Sequence, residues 1–368
     1  MAVHTTTGAR RRSPLKLVWM IPGGLALLVG LDAALILLGL PAPLSAQRFA
    51  EVHGVLLVLG FLGTLISLER ATALGRWFGY AAPALLGLGG ILLFVDALPL
   101  AVGQWVLVAG TAAFTAIYVP LWRRRYDTPI LVQLLAAGLA LAAAILWAGG
   151  AATSRVLPWL LAFVVLTIAA ERVELAAITM GARANLVLLV HAWVVAGALL
   201  VGLALPHAGA IVLGLAFVSL TVWLFRADIA RRTIRARGAT RFMAASMLAG
   251  YFWLFIAGVV LLFGHPTSAA AYDAVTHGVL LGFAISMIMA HATTILPAVL
   301  GVTLPYRSIM WIPAVLLHLS LVIRLWFGDA FGLRLAWQLG GVLGIIAILL
   351  FLLTAVGSAL LALRRPNR

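Results

Sequence analysis

Apolar residues along this chain come in runs of helical length, broken by short polar or Gly/Pro-containing segments from one end to the other. Each run can cross the ~30 Å of hydrocarbon in a bilayer. Twelve spans are predicted, near 17–40, 52–69, 77–98, 102–122, 129–150, 156–176, 185–205, 208–225, 242–264, 273–297, 309–326 and 333–363. The pattern therefore predicts an all-α polytopic membrane protein. One membrane domain, 17–363, lies between basic tails at 1–16 and 364–368. No polar segment is long enough for a separate soluble domain. The opening M-A-V-H-T-T-T-G-A-R-R-R-S-P-L-K looks like the n-region of a signal peptide. The apolar run behind it is too long for a signal h-region, so it reads as a retained first span.

Charge fixes the orientation. The chain of 368 residues is 64% hydrophobic and 10% charged, with a net charge of +15. In a soluble protein that charge would suggest nucleic acid. Here it sits in short loops, without the interleaved aromatics of a single-strand binder, so no nucleic-acid partner is expected. With the N-terminus in the cytoplasm, twenty basic residues fall on the inner side and four (Arg48, Arg155, Arg324, Arg334) on the outer, with Arg172 inside a span. Both termini are therefore expected in the cytoplasm, and the protein in a bacterial-type inner membrane. The stretch R-A-D-I-A-R-R-T-I-R-A-R-G-A-T-R, Arg226–Arg241, is the strongest basic loop. It reads as a topology signal, with anionic lipid headgroups as the other reading.

A repeat runs through the spans. The second reads E-V-H-G-V-L-L-V-L-G-F-L-G-T-L-I-S-L-E-R and the tenth T-H-G-V-L-L-G-F-A-I-S-M-I-M-A-H. Both hold H-G-V-L-L, then G-F, with polar residues at both ends. The sixth ends in A-A-E-R-V-E-L. Similar spans four apart suggest three four-helix units about a pseudo-threefold axis.

His53 and His277 open these two spans near the outer face. Imidazoles from two helices at one depth suit the two axial positions of a haem iron. The chain has no cysteine, so the haem would be held non-covalently and without a thiolate ligand; a b-type haem is expected. Gly54 and Gly278 would let a flat macrocycle approach the backbone. Arg324, Arg334 and Arg48 are candidates for its propionates. Asp32 or Asp96 is a candidate partner for a ligand histidine. The bland reading is of two interfacial histidines bonded to water or headgroups.

Other ionisable groups fall in the inner half. His291 follows His277 by 14 residues, nearly four regular turns, which places both on one face about 21 Å apart. Glu69 ends the second span, and Glu171 and Glu174 end the sixth. With His191 and His318 they suggest a second metal site for copper, iron or zinc, with Glu171 or Glu174 as ligand or proton carrier. Against it, Glu69–Arg70 and Glu171–Arg172 read as helix-end ion pairs, His318 as a buried histidine on a carbonyl, and Met287 and Met289 as packing. His207 and His265 sit beside proline in outer turns and read as loop residues, and His4 as part of the tail.

Twelve spans, H-G in the second, a histidine in the tenth and arginines near the outer end of the eleventh resemble subunit I of the haem–copper oxidases. That resemblance implies the pseudo-threefold bundle, axial roles for His53 and His277 and a propionate role for Arg324. The H-x-H, H-P-E-V-Y and His-His motifs of the oxygen-reducing centre are absent. G-Y-F-W-L (Gly250–Leu254), A-V-T-H-G-V-L-L-G (Ala274–Gly282) and A-E-R-V (Ala170–Val173) resemble the NnrS family, haem- and copper-containing membrane proteins linked to nitric oxide stress. The R-x-S-L-G-H-T-G-R pattern of that family is missing; the chain reads T-T-I-L-P-A-V-L-G. These resemblances imply redox or diatomic-gas chemistry, with nitric oxide the first suspect and the electron donor unknown. The competing classes are a secondary transporter using intramembrane Glu and His, and an assembly factor for haem or metal.

Overall fold

The computed structural model describes residues 18–44 and 47–363. The basic tails expected at 1–16 and 364–368 lie outside the described residues. Among the described residues there is no strand, and ten helices are long and apolar enough to cross a membrane. Two further apolar helices are shorter. In chain order they are α1 (Ile21–Leu37), α2 (Arg48–Leu74), α3 (Trp77–Leu93), α4 (Leu100–Arg125), α5 (Thr128–Ala148) and α6 (Thr153–Leu175). Then follow α7 (Ala184–Ala204), α8 (Pro206–Ala227), α9 (Gly238–Leu261), α10 (Ala269–Val299), α11 (Ser308–Ala330) and α12 (Arg334–Ala362). α1 and α3 fall short of the predicted spans. Leu38 closes α1, and the chain leaves helical geometry at Phe94, ahead of Pro99. The molecule is an integral membrane protein. Its outer faces carry large apolar side chains open to lipid, such as Leu186, Trp193, Leu335 and Leu353.

α2, α6 and α10 touch one another, and α12 returns to α1. α6 is the most enclosed, with 83% of its apolar stretch buried. The likeness of α2 and α10 extends from sequence to backbone. Each runs from its H-G-V-L-L motif into a π-helical stretch, Leu56–Gly63 in α2 and Gly278–Ile285 in α10. Each closes on a glycine in the left-handed conformation, Gly75 and Gly301, both with φ 68°. α11 holds a third π-helical stretch, Val322–Ala330. Such i→i+5 turns re-aim the side chains beyond them and are frequent at functional sites.

Close packing rests on glycine at particular points. α7 and α8 are joined by Leu205 alone, and a Cβ on Gly209 would lie 2.4 Å from Gly202 Cα. Backbone meets backbone there, so nothing soft can yield. Gly209→Val is expected to splay this hairpin and lower stability by about 1–3 kcal/mol, read as a fall in the melting temperature in detergent.

Candidate functional site

A cavity of about 1030 Å³ lies between α1, α2, α10, α11 and α12, with the ends of α4, α5 and α6 along one side. Leucine, alanine and glycine make up most of its wall. Its charged and imidazole groups gather at one end: Glu51, His53, Asp273, His277, Arg324, Asp329 and Arg334. This end is opposite the basic end, where the arginine-rich connections lie.

His53 places Nδ1 2.9 Å from the Gly30 carbonyl oxygen. A carbonyl only accepts, so Nδ1 carries the proton and Nε2 keeps its lone pair. His277 turns Nδ1 toward the Asp273 carboxylate one turn back on α10, with the Asp273 carbonyl at 3.3 Å. Its Nε2 is likewise left as an acceptor. This is the tautomer a metal-binding imidazole needs, fixed by a partner on the other nitrogen. Asp273 is held in turn: Arg324 donates Nε at 2.7 Å and Nη2 at 2.9 Å, and Trp337 donates Nε1 at 3.1 Å. The Arg324 guanidinium also lies over the Trp337 ring, 4.9 Å from its centroid. Gly340 and Gly341 make room for it, since a Cβ on either would fall within 2.8 Å of Arg324 atoms.

Several expectations change here. Neither Asp32 nor Asp96 serves a histidine: Asp32 accepts from the Leu44 N–H at 3.1 Å, and Asp273 takes the role. Arg48 is spent on the Val95 and Leu98 carbonyls, each at 2.9 Å, and does not line the cavity. Arg324 lines it but is committed to Asp273, which leaves Arg334 as the arginine without a carboxylate partner. Gly54 lines the cavity, and a Cβ there would meet nothing within 4 Å. Gly278 instead packs on α9, where a Cβ would lie 3.3 Å from the Trp253 carbonyl.

Of the six residues expected to form a second metal site, the three carboxylates meet and the three histidines stand apart from them. Among the described residues, no group of three or more His, Asp or Glu side chains is placed to hold a metal. Glu69, Glu171 and Glu174 surround Arg70 at 2.8, 3.3 and 3.5 Å. The Glu69–Arg70 pair is thus present, but Glu171 turns to Arg70 rather than to its neighbour Arg172. Gln133 donates Nε2 to Glu174 at 3.4 Å. The buried Gln133 Oε1, Tyr118 hydroxyl and Arg70 Nε find no partner. Arg172 forms a separate network, giving Nε and Nη2 to Asp228 at 3.0 and 3.1 Å and Nη1 to His291 Nε2 at 2.8 Å. His291 donates Nδ1–H to the Met287 carbonyl at 2.8 Å, so its one lone pair is occupied by Arg172. His318 accepts the Trp253 indole N–H on Nδ1 at 3.0 Å, which places its own proton on Nε2. Its expected carbonyl partner is replaced by this indole. His191 donates Nδ1–H to Val187 at 2.8 Å and lies 3.1 Å from Ser219 Oγ, stacked on Trp223.

Asp273, Asp228, Trp253 and Trp337 are therefore working residues to which sequence reasoning assigned no role. Asp273 had a readable signal, the D-x-x-x-H spacing that brings a carboxylate and an imidazole together on one helix face. Asp228 had none, lying among six arginines in a stretch read for its charge alone.

A family model described as a domain of unknown function, DUF8744, matches residues 16–360. No curated protein and no solved structure matches the chain.

Proposed function

We propose that this chain, which belongs to the DUF8744 family, is a redox membrane protein that holds one b-type haem between His53 and His277. One observation carries the reading. Two histidines from the same motif on two helices line one cavity, and each has Nδ1 tied to an acceptor and Nε2 uncommitted. A volume of about 1030 Å³ suits a cofactor-sized occupant. Open space at Gly54, and a wall that is mostly apolar, suit a flat apolar ring. Arg334, with the remaining Nη1 of Arg324, would meet the carboxylates of the group. A haem with both axial positions filled supplies one-electron transfer rather than gas binding. Asp273 would keep His277 in its ligating tautomer and strengthen it as a donor.

The twelve-span, pseudo-threefold arrangement belongs to the same proposal, as does its resemblance to the haem–copper and NnrS proteins. The mutual contact of α2, α6 and α10 and the repeated backbone of α2 and α10 support it. α1 and α3 rise about 25 Å each, enough to cross with help from interfacial flanks. The arginine-rich connections support a cytoplasmic basic end. The second metal site is not retained, because its histidines are engaged elsewhere.

The test is an optical spectrum of the detergent-purified protein, oxidised and dithionite-reduced, with haem and protein quantified together. About one haem per chain with six-coordinate reduced bands is expected. Haem retained in that ratio counts against an assembly factor. A protein from haem-replete cells without a Soret band would overturn the reading. Asp273→Asn is expected to keep the spectrum but weaken haem retention by about tenfold, measured by transfer to apomyoglobin.

The transporter is the second reading, and the Arg70 cluster favours it: three carboxylates on one guanidinium, with the unpartnered Tyr118 hydroxyl and Gln133 Oε1 beside them. Intramembrane ionisable groups of this kind serve proton or substrate relays. Solute uptake by vesicles carrying haem-free protein, abolished by Glu171→Gln, would establish it.

A further inference from the structure

A second cavity, about 370 Å³, opens at the basic end between the starts of α9 and α11. Its lining is Arg237, Gly238, Arg241, Tyr306 and Trp311. No carboxylate lines it, and among the described residues neither Arg237 nor Arg241 is ion-paired. The stretch between α8 and α9 adds three more arginines, and its one carboxylate, Asp228, is consumed by Arg172. Arg237 stands in extended backbone just before α9 and Arg241 in its first turn, and both line the cavity. Between them starts α9, whose first turn receives no side-chain cap from Arg237 and so presents free N–H groups. Trp311 donates Nε1–H to the Tyr306 oxygen at 3.1 Å, which leaves the Tyr306 O–H free to donate. Phe242 packs against both rings, at 5.8 and 5.4 Å, and fixes them. Two guanidiniums, a helix start and a phenol converge on a space that holds no negative charge. That is the donor set for a phosphate.

Its depth selects the source. Gly238 and Ser308 are the first residues of two spans, so the cavity lies at headgroup level, where Tyr and Trp favour the interface. Directly beyond it on α11, Ile309, Ile312 and Val315 are exposed and would lie along an acyl chain. We propose that this cavity binds the phosphate of an anionic phospholipid through Arg237, Arg241, Tyr306 and the first turn of α9.

The test follows thermal stability of the full chain in detergent while titrating dioctanoyl phosphatidylglycerol, dioctanoyl phosphatidylcholine or inorganic phosphate. The glycerol lipid is expected to raise the melting temperature saturably, and the choline lipid and phosphate to do little. Arg237→Gln with Arg241→Gln is expected to weaken the glycerol lipid by about thirtyfold. Arg232→Gln with Arg235→Gln removes the same charge from the same loop outside the cavity, and is expected to leave binding unchanged. Both pairs are exposed, so folding is not at stake. Native mass spectrometry should show one retained anionic lipid, lost only in the first pair. Equal response to both lipids, or equal loss in both pairs, would overturn the site. A response to inorganic phosphate as strong as to the lipid would overturn the lipid as its source.

Discussion

His53→Ala and His277→Ala, each purified from haem-replete cells, are expected to lose the six-coordinate spectrum and most of the bound haem. His53 and His277 are the two imidazoles in a cavity wall that is mostly apolar. Perturbing a partner of a metal ligand costs about 10–100-fold in affinity, and removing the ligand itself costs at least the upper end of that range. Haem content should thus fall about a hundredfold at limiting haem, and any residue should be five-coordinate. His191→Ala and His318→Ala are the controls, because both rings are engaged away from the cavity, on Val187 and on Trp253. Gly54→Leu is a softer probe. It fills open space beside His53 without touching either ligand, and should lower haem content while the apoprotein keeps its melting temperature. Loss of haem in the two controls but not in His53→Ala or His277→Ala would move the haem, and retention in all of them would remove the cavity from consideration.

The spans were legible because hydrocarbon imposes one requirement on every crossing segment: internal hydrogen bonding and an apolar surface. The repeat of H-G-V-L-L was legible as letters, and the structure gives it a backbone meaning, since both copies lead into π-helical stretches. The same feature defeats arithmetic on regular turns. Fourteen residues at a regular helical repeat would align His277 with His291. The wider turns of Gly278–Ile285 intervene, and His277 meets the cavity while His291 meets Arg172. The inner cluster failed for a different reason. Sequence order pairs Glu171 with Arg172, but on a helix adjacent residues point about 100° apart. One therefore faces α2 and Arg70, the other Asp228 and α10. Glu171 and Glu174 both have Arg70 of the distant α2 as a partner, at 3.3 and 3.5 Å, and that weakens their motive to bind a metal.

Asp228→Ala is expected to cause the largest loss of stability among single changes near the basic end. The Asp228 side chain is fully buried and accepts four hydrogen bonds: from Arg172 Nε and Nη2, from the Tyr251 hydroxyl at 2.7 Å and from the Ala230 N–H at 2.9 Å. It ties the connection after α8 to α6 and α9, while Arg172 ties α6 to His291 on α10. Removing it leaves a buried guanidinium with His291 alone, and a phenol without an acceptor. Breaking one side of a buried ion pair costs about 3–5 kcal/mol, chiefly from the charge left behind. Removing both sides is far less costly, so the double change Arg172→Leu with Asp228→Leu should melt above Asp228→Ala. The apparent melting temperature in detergent should fall by about 10 °C in the single variant. Haem content at low temperature should be unchanged, since neither residue lines the cavity. That split separates a structural network from a functional one. If Asp228→Ala instead melts with the wild type, Arg172 finds another partner on unfastening, and the connection after α8 is not what holds α6 to α9 and α10.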